Sequence, residues 1–462
     1  MPAHSVINDA AVVILAAGQG TRMKSRMAKV LHRAGGKPLV RHAIDAALQI
    51  APPERVFVVV GYQADEVRAE VESAGVQSIH QTEQLGTGHA VMCGEEKLAG
   101  LGGSLVVFVG DCPLIRPGTL AQLVETQKQG RAAAAVITTD VDDPTGYGRI
   151  IRGADNSVQA IVEHKAATAD QRAVREINSG ILCFDADSLW RHIHELRPDN
   201  PAHEYYLTDM AAILIRAGAR VVALKIPESA ELLGINNRLE LAEADRILRA
   251  RKIRQLMLDG VTIEKPETVT IDADVRIGID TVIGPFVQIT GATAIGENCR
   301  VGACSIVHSS VLGAGVEVFP FTMVSESKLD ARAHAGPFAR LRMGAHLSER
   351  AHVGNFVELK KTKMGAGAKS MHLAYLGDST IGEKVNIGAG TITCNYDGQK
   401  KHATVIGDGA FVGSNSTLIA PVEIGEDAYI AAGSVINQKV PAKALAVARS
   451  RQVNKEGWKR RG

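Results

Sequence analysis

Residues 277–307 read IGIDTVIGPFVQITGATAIGENCRVGACSIV, with an aliphatic residue at every sixth position: Ile277, Ile283, Ile289, Ile295, Val301 and Val307. A second run, Ile406, Val412, Leu418, Ile424, Ile430 and Ile436, keeps the same step, and most of these residues are followed by glycine or another small residue. A six-residue step would carry an apolar side chain far round an α-helix, which turns once in about 3.6 residues. One aliphatic residue per hexapeptide instead marks a parallel β-helix, in which each flat side of a coil sends one side chain inward. The period breaks in three places: 328–345 reads as irregular, 369–376 (KSMHLAYL) interrupts the pattern, and 394–402 (CNYDGQKKH) is a polar excursion. Insertions in such a stack map to loops on one side and often build the binding site.

The first 230 residues follow another rule. AVVILA (11–16), RVFVVVG (55–61) and SLVVFVGD (104–111) are continuous aliphatic runs, and between them 37–48 and 63–75 have helical spacing. That alternation predicts a parallel α/β sheet covered on both faces, a Rossmann-like fold. Ligands of such sheets bind at the carboxyl ends of the strands, which draws attention to 18–29, 81–87 and Gly110-Asp111. From 237 to 258 the sequence predicts one long exposed helix with a single apolar stripe. The expected domains are therefore 1–236, a linker helix over 237–258, and 259–462.

Composition sets the outer limits. At 462 residues the chain is too long for one ordinary core. A formal net charge of +2 argues against a nucleic-acid-binding surface. The six cysteines form no CxxC pair, and the histidines do not fall at ligand spacing beside them, so the reading is reduced, mostly buried thiols and no zinc site. The N-terminus lacks the basic region of a signal peptide, and no stretch has the ~18 apolar residues of a membrane span. A cytoplasmic protein is expected, without membrane partners.

Chemistry concentrates at the predicted strand ends. Gly18-Gln19-Gly20 would let backbone amides approach a polyphosphate, with Arg22 and Lys29 supplying charge. The turn around Gln81, Gly86 and Thr87 can present amides to a base. Asp111 stands where Mg²⁺ held by one or two carboxylates plus substrate phosphates would need it. In order along the chain, LAAGQGTRM with Lys29, QLGTGHA, GDCPL, DPTGYGRI, IVEHK, INSG and GINNR resemble bacterial sugar-nucleotidyltransferases. Together with the β-helix they resemble, over essentially the whole chain, the bifunctional N-acetylglucosamine-1-phosphate uridylyltransferase/glucosamine-1-phosphate N-acetyltransferases. The resemblance implies uridine nucleotide on Leu15, Ala16, Ala17, Gly18, Gln81, Gly86 and Thr87, and triphosphate on Lys29. It implies Mg²⁺ on Asp111 and Asn236, and sugar on Gly148, Glu163 and Asn178. The family often has Tyr where this chain has Val109, and Pro where it has Ala28.

In the β-helix, residues 342–375 gather Arg342, His352, Asn355, Glu358, Lys360, Lys361, His372 and Tyr375 among otherwise small and aliphatic coils. An amine must be neutral to attack a thioester, so a base beside an anion-binding pair is what acetyl transfer requires. His372 can be that base, and Arg342 and Lys360 can hold a sugar phosphate. LRMGA, GNFVELKK, HLAY, VNIGAGTITCNYDG and FVGSNS resemble the acetyltransferase half of the same family. The resemblance implies a left-handed β-helix and a homotrimer with acyl sites between subunits. It places Arg342, Lys360, Tyr375 and Asn386 on glucosamine-1-phosphate, and Ala389, Asn395, Tyr396, Ser414, Ala432 and Arg449 on acetyl-CoA. Met343 stands where Pro is common, and ARSRQ around Arg449 departs from the usual tail. The substrates implied are glucosamine-1-phosphate, acetyl-CoA, N-acetylglucosamine-1-phosphate and UTP, for UDP-N-acetylglucosamine and the cell-envelope polymers built from it. Two other readings stay open from sequence: a monofunctional nucleotidyltransferase with a structural β-helix, and a non-enzymatic scaffold.

Overall fold

The computed structural model describes residues 6–153, 157–162, 164, 167–200 and 202–460. Glu163 lies outside the described residues. The chain divides into two compact units, Met1–Leu248 and Arg249–Gly462.

Among the described residues, the first unit holds a nine-stranded sheet. Its strands are β1 (Ala10–Ala16), β2 (Val56–Val60), β3 (Gln77–His80), β4 (Ser104–Val109), β5 (Ala134–Asp140), β6 (Arg149–Arg152), β7 (Val158–Val162), β8 (Glu176–Asp185) and β9 (Val221–Lys225). The spatial order is β9-β5-β8-β4-β1-β2-β3, with β6 and β7 attached as a hairpin through β8. The aliphatic runs are continuous because both faces are covered. Val12, Ile14, Val58 and Phe108 pack under the helices Leu39–Ala47 and Pro117–Gln129, while Val13, Phe57, Val59 and Val107 pack on the side of the helix Asp209–Arg216. The expected all-parallel sheet needs one correction: β8 runs antiparallel to both β4 and β5. The chain between β5 and β8 is spent on the β6–β7 hairpin and a short helix, Ala169–Arg172. An antiparallel neighbour can be reached that way without the helical crossover a parallel one requires.

The long helix spans Arg238–Leu258. Its apolar residues do not form one exposed stripe. Leu241, Ala244, Ile247 and Leu248 pack with Met23, Leu39, Leu114 and Ile235 of the first unit, whereas Ile253 and Leu256 belong to the core of the second. Leu239, in the first turn of the helix, is 83% exposed. Asn237 caps the helix by accepting the Leu239 and Glu240 N–H groups at 2.9 and 3.0 Å. No described helix is long and apolar enough to cross a membrane.

The second unit is the left-handed β-helix, with parallel sheets of 11, 10 and 9 strands among the described residues. Each strand pairs with its counterpart one coil on, as in Ile283↔Val301 and Ile289↔Val307. The inward column continues through the segment expected to be irregular: Leu329, Ala335, Leu341 and Leu347 keep the six-residue step and are fully buried. Two features hid it. One side of the coil shortens to five residues at Leu312, Leu329, Met364 and Ile381, which breaks the phase, and Ala335, Ser370 and Thr393 replace aliphatics at inward positions. Only 394–402 adds real length, since Thr380 pairs with Val405, well beyond an ordinary coil.

Ser370 is fully buried, and its Oγ has no hydrogen-bond partner among the described residues. An unsatisfied buried hydroxyl costs about 1–3 kcal/mol. Ser370→Ala should therefore raise the thermal stability of the second unit, by about 1 kcal/mol. A melting point at or below that of the parent would refute this.

Candidate active sites

In the first unit, β1, β2 and β4 end together, with Ala16 paired to Val60 and Leu15 to Val109. The chain then turns over the sheet edge: Gly110 N–H donates to Leu15 O at 2.8 Å and Tyr62 N–H to Ala17 O at 3.0 Å. These turns wall a cleft of ≈ 240 Å³ lined by Leu15, Ala16, Ala17, Gly18, Lys29, Gln81, Gly86, Thr87 and Asp111. The candidates for the uridine nucleotide, with Lys29 and Asp111, thus share one cavity, while Arg22 and Asn236 lie outside its lining. Gln84, from the QLGTGHA turn, also lines it, as does Glu204, which no sequence motif points to. Glu204 arrives because the stretch around Tyr205 hydrogen-bonds the Gln81 turn: Tyr205 N–H donates to Leu85 O at 2.8 Å, and Gly88 N–H to Tyr205 O at 2.7 Å. Gly20 adopts φ 68°, and a Cβ there would lie 2.5 Å from Lys29 Cβ, so the loop can close onto Lys29 only as glycine.

The charges are arranged in two pairs. Lys29 Nζ donates to Asp111 Oδ2, and Arg22 Nη2 donates to Asn236 Oδ1 at 2.7 Å. Asp111 is 9% exposed. Its carbonyl accepts the Ile235 N–H at 3.0 Å, which brings the Gly234–Asn236 segment to the end of β4. Asn236 N–H is in turn held by Glu240 Oε2 at 2.6 Å. A carboxylate and a carboxamide oxygen that each draw a cationic side chain are donors suited to a hard divalent ion. Among the described residues no group of three or more His, Cys, Asp or Glu could hold a metal, so any ion here would take its other ligands from substrate or water.

Gly148 and Asn178 do not line this cleft. They meet each other, Asn178 N–H donating to Gly148 O at 2.9 Å, beside a second cavity of ≈ 270 Å³ lined by their neighbours Tyr147, Ile177 and Ser179.

In the second unit, stacking turns sequence distance into contact. Arg342, Lys360 and Gly377 are successive residues of one column, and Asn355 pairs with His372. His372 is exposed, and its Nδ1 lies 2.6 Å from Asn355 Oδ1. Arg342 Nε donates to Glu358 Oε1 at 2.7 Å. Lys360, only 3% exposed, donates to Asp378 Oδ2 at 2.9 Å, and Asn395 Nδ2 donates to the same oxygen at 2.5 Å. Gly377 leaves room for this meeting, since a Cβ would fall 2.6 Å from both Asn395 Nδ2 and Tyr375 Oη. Asn395 is thus buried against the coil, while Tyr396 projects from the excursion, its hydroxyl donating to Gly398 O at 2.6 Å. Asn386 sits one rung beyond Lys369 on a neighbouring sheet. Of the acetyl-CoA candidates, Ala389 O accepts Asn415 N–H at 2.7 Å, Ser414 O accepts Gly433 N–H at 2.8 Å, and Ala432 and Arg449 are exposed. All six cysteines are free, and only Cys112, Cys183 and Cys299 are buried, so the expectation of mostly buried thiols holds for half of them.

Asp378 escaped sequence reading, yet it joins Lys360 to Asn395; its one signal was its place next to Gly377, which stacks on Lys360. Partial burial pushes its carboxyl up, but hydrogen bonds from Lys360 and Asn395 and the charges of Lys360 and Lys401 outweigh that and hold it below the usual range. A depressed folded value means that the pair stabilises the protein above the ordinary carboxylate value and is lost as pH falls through the folded one. Asp378→Asn should cost about 2 kcal/mol at neutral pH, because buried Lys360 loses its charge-assisted hydrogen bond. In a pH series of melting curves the gap to the parent should close in strong acid. A gap independent of pH would rule this pairing out as its source.

The fold, the strand-end cleft and the polar cluster on the β-helix define a nucleotidyltransferase joined to a hexapeptide-repeat acyltransferase. Residues 12–202 match the MobA-like NTP transferase domain, and residues 274–309 and 403–438 match the bacterial transferase hexapeptide (six repeats). The chain is 59% identical to the "Bifunctional protein GlmU" of Solibacter usitatus over 97% of its own length and 96% of that protein's. It is 49% identical to the protein of the same name from Koribacter versatilis and 46% identical to that from Shouchella clausii, over 97% and 96% of the chain and 96% and 98% of those proteins. The chain belongs to this family.

Proposed function

We propose the following division of labour for the two activities of UDP-N-acetylglucosamine synthesis, acetyl transfer and uridylyl transfer, that the chain carries. In the second unit His372 takes the proton from the glucosamine-1-phosphate amine as its nitrogen attacks the acetyl-CoA carbonyl, and the proton passes to the departing thiolate. Arg342, Lys360, Tyr375 and Asn386 hold the acceptor; Ala389, Asn395, Tyr396, Ser414, Ala432 and Arg449 contact acetyl-CoA. In the first unit Leu15–Gly18, Gln81, Gly86 and Thr87 seat UTP, and Gly148, Asn178 and Glu163 seat N-acetylglucosamine-1-phosphate. Its phosphate oxygen attacks the α-phosphorus of UTP and expels pyrophosphate, with Lys29 and Arg22 on the triphosphate. Asp111 and Asn236 would hold Mg²⁺, which when bound neutralises charge gathering on the phosphates.

The observation that carries this reading is the convergence of residues from four separate stretches, 15–18, 29, 81–87 and 111, on one strand-end cleft, where Lys29 and Asp111 pair. The helix Arg238–Leu258 joins the two catalytic domains, whose bounds we put at 1–236 and 259–462. Phe321, Phe338 and Phe356 stack in an exposed ladder, with ring centroids 5.1 and 5.3 Å apart, and Leu373 beside His372 continues it, 61% exposed. An apolar seam leading to the base supports a homotrimer in which a neighbouring subunit completes the acyl site. A cytoplasmic location suits these substrates.

Purified protein given glucosamine-1-phosphate, acetyl-CoA, UTP and Mg²⁺ should yield UDP-N-acetylglucosamine, pyrophosphate and free CoA. Without UTP, thiol release should persist; a β-helix that served only for assembly would release none.

A further inference from the structure

Gln81 follows β3 in the wall of the nucleotide cleft and is 3% exposed. Its backbone N–H is taken by Val60 O at 2.8 Å. Its side-chain nitrogen has two partners, Gly86 O at 3.1 Å and His89 Nδ1 at 3.1 Å. A backbone carbonyl can only accept, so the NH₂ faces Gly86. His89 Nδ1 must then accept as well, which puts its proton on Nε2, the nitrogen 3.8 Å from Cys93 Sγ. The His89 ring is backed by Tyr205, with centroids 6.3 Å apart. Both amide hydrogens of Gln81 are thereby used. What remains is Oε1, which has no hydrogen-bond partner among the described residues and belongs to a side chain lining the cleft.

We propose that His89 is a specificity-determining positioning residue for uridylyl transfer: by fixing the Gln81 amide, it presents an acceptor-only edge to the base. Uracil offers an N3–H to such an edge. Cytosine offers a lone pair at N3 and is repelled. A polar group locked in one orientation discriminates strongly, because the wrong partner leaves it buried and unpaired. Without His89 only the Gly86 carbonyl resists rotation of the amide, and a turned amide would present NH₂, which suits cytosine. The proposal rests on the reading that Gln81 meets the base, and it assigns His89 no contact with substrate.

The test uses the full chain with N-acetylglucosamine-1-phosphate and either UTP or CTP, with pyrophosphate release giving kcat/KM for each. The parent should prefer UTP, and Gln81→Leu should collapse the preference. His89→Leu should lower the UTP-to-CTP ratio by about tenfold, the worth of one hydrogen bond, through the two KM values and with kcat for UTP changed by less than about twofold. His89→Asn, whose Oδ1 stands about where Nδ1 was, should restore most of the ratio. If Gln81→Leu collapses the ratio and His89→Leu leaves it intact, the lock is wrong while the base contact stands. If Gln81→Leu leaves the ratio intact, both fail. Equal losses on UTP and CTP in His89→Leu, unrelieved in His89→Asn, would make His89 merely structural and overturn the proposal.

Discussion

His372→Ala is expected to lower acetyl transfer by ~10²–10⁴-fold, the usual worth of a positioned general base, and to leave uridylyl transfer unchanged. With Asn355 Oδ1 accepting at 2.6 Å, His372 Nδ1 carries a proton and Nε2 is left bare. Nε2 is then the atom that can take a proton from the sugar ammonium or from the nitrogen as it acylates. The side chain is exposed and belongs to the second unit, so the two activities should separate cleanly. Asn355→Ala should be milder, about tenfold, because the ring stays but loses the contact that selects its tautomer. Thiol release with glucosamine-1-phosphate and pyrophosphate release with N-acetylglucosamine-1-phosphate measure the two halves. A His372→Ala enzyme that kept more than about a tenth of its thiol release would show that the base lies elsewhere.

How far such residues can be found from sequence depends on the element that carries them. In the β-helix the repeat gives contacts almost directly, since residues one coil apart are stacked; Arg342 and Lys360 could be grouped for that reason. The same rule stacks Gly377 on Lys360 and so brings Asp378, the next residue, within reach of it, but a five-residue side and inward Ser370 and Thr393 blurred the phase there. In the first unit the strand ends were legible, because fully buried strands are continuous aliphatic runs and polar residues can start only where the runs stop. Two things were not. The direction of β8 depends on how the chain returns, which local hydrophobicity does not encode. Glu204 reaches the cleft through backbone hydrogen bonds of a segment with no period of its own. The pairing of Arg22 with Asn236, more than two hundred residues on, was likewise beyond any local pattern, although each residue alone had drawn notice.

Asp111→Asn is expected to lower uridylyl transfer by ~10²–10³-fold, in the range found when one preorganised electrostatic group is removed, and to spare thiol release. The substitution keeps the shape of the side chain and removes its charge. Two consequences follow from the geometry. The pair proposed to hold Mg²⁺ loses its only anionic member, so a higher Mg²⁺ concentration should recover part of the activity. Lys29 also loses its counterion, and its ammonium is left partly buried and uncompensated. Lys29→Ala and the double variant separate the two. If Lys29 served only to neutralise Asp111, adding Asp111→Asn to Lys29→Ala would cost little more stability and no more activity than the worse single change. If Lys29 acts on the triphosphate, it must leave Asp111 when nucleotide and metal enter together. Each single variant should then be impaired in a different step: Lys29→Ala should raise the KM for UTP at saturating Mg²⁺, while Asp111→Asn should raise the Mg²⁺ requirement. Calorimetric titration of UTP with and without Mg²⁺ tests this apart from turnover. In the parent, each ligand should bind more tightly when the other is present, because displacing the Lys29–Asp111 pair needs a partner for both charges. Independent binding of the two would sink that exchange and return Lys29 to a structural role.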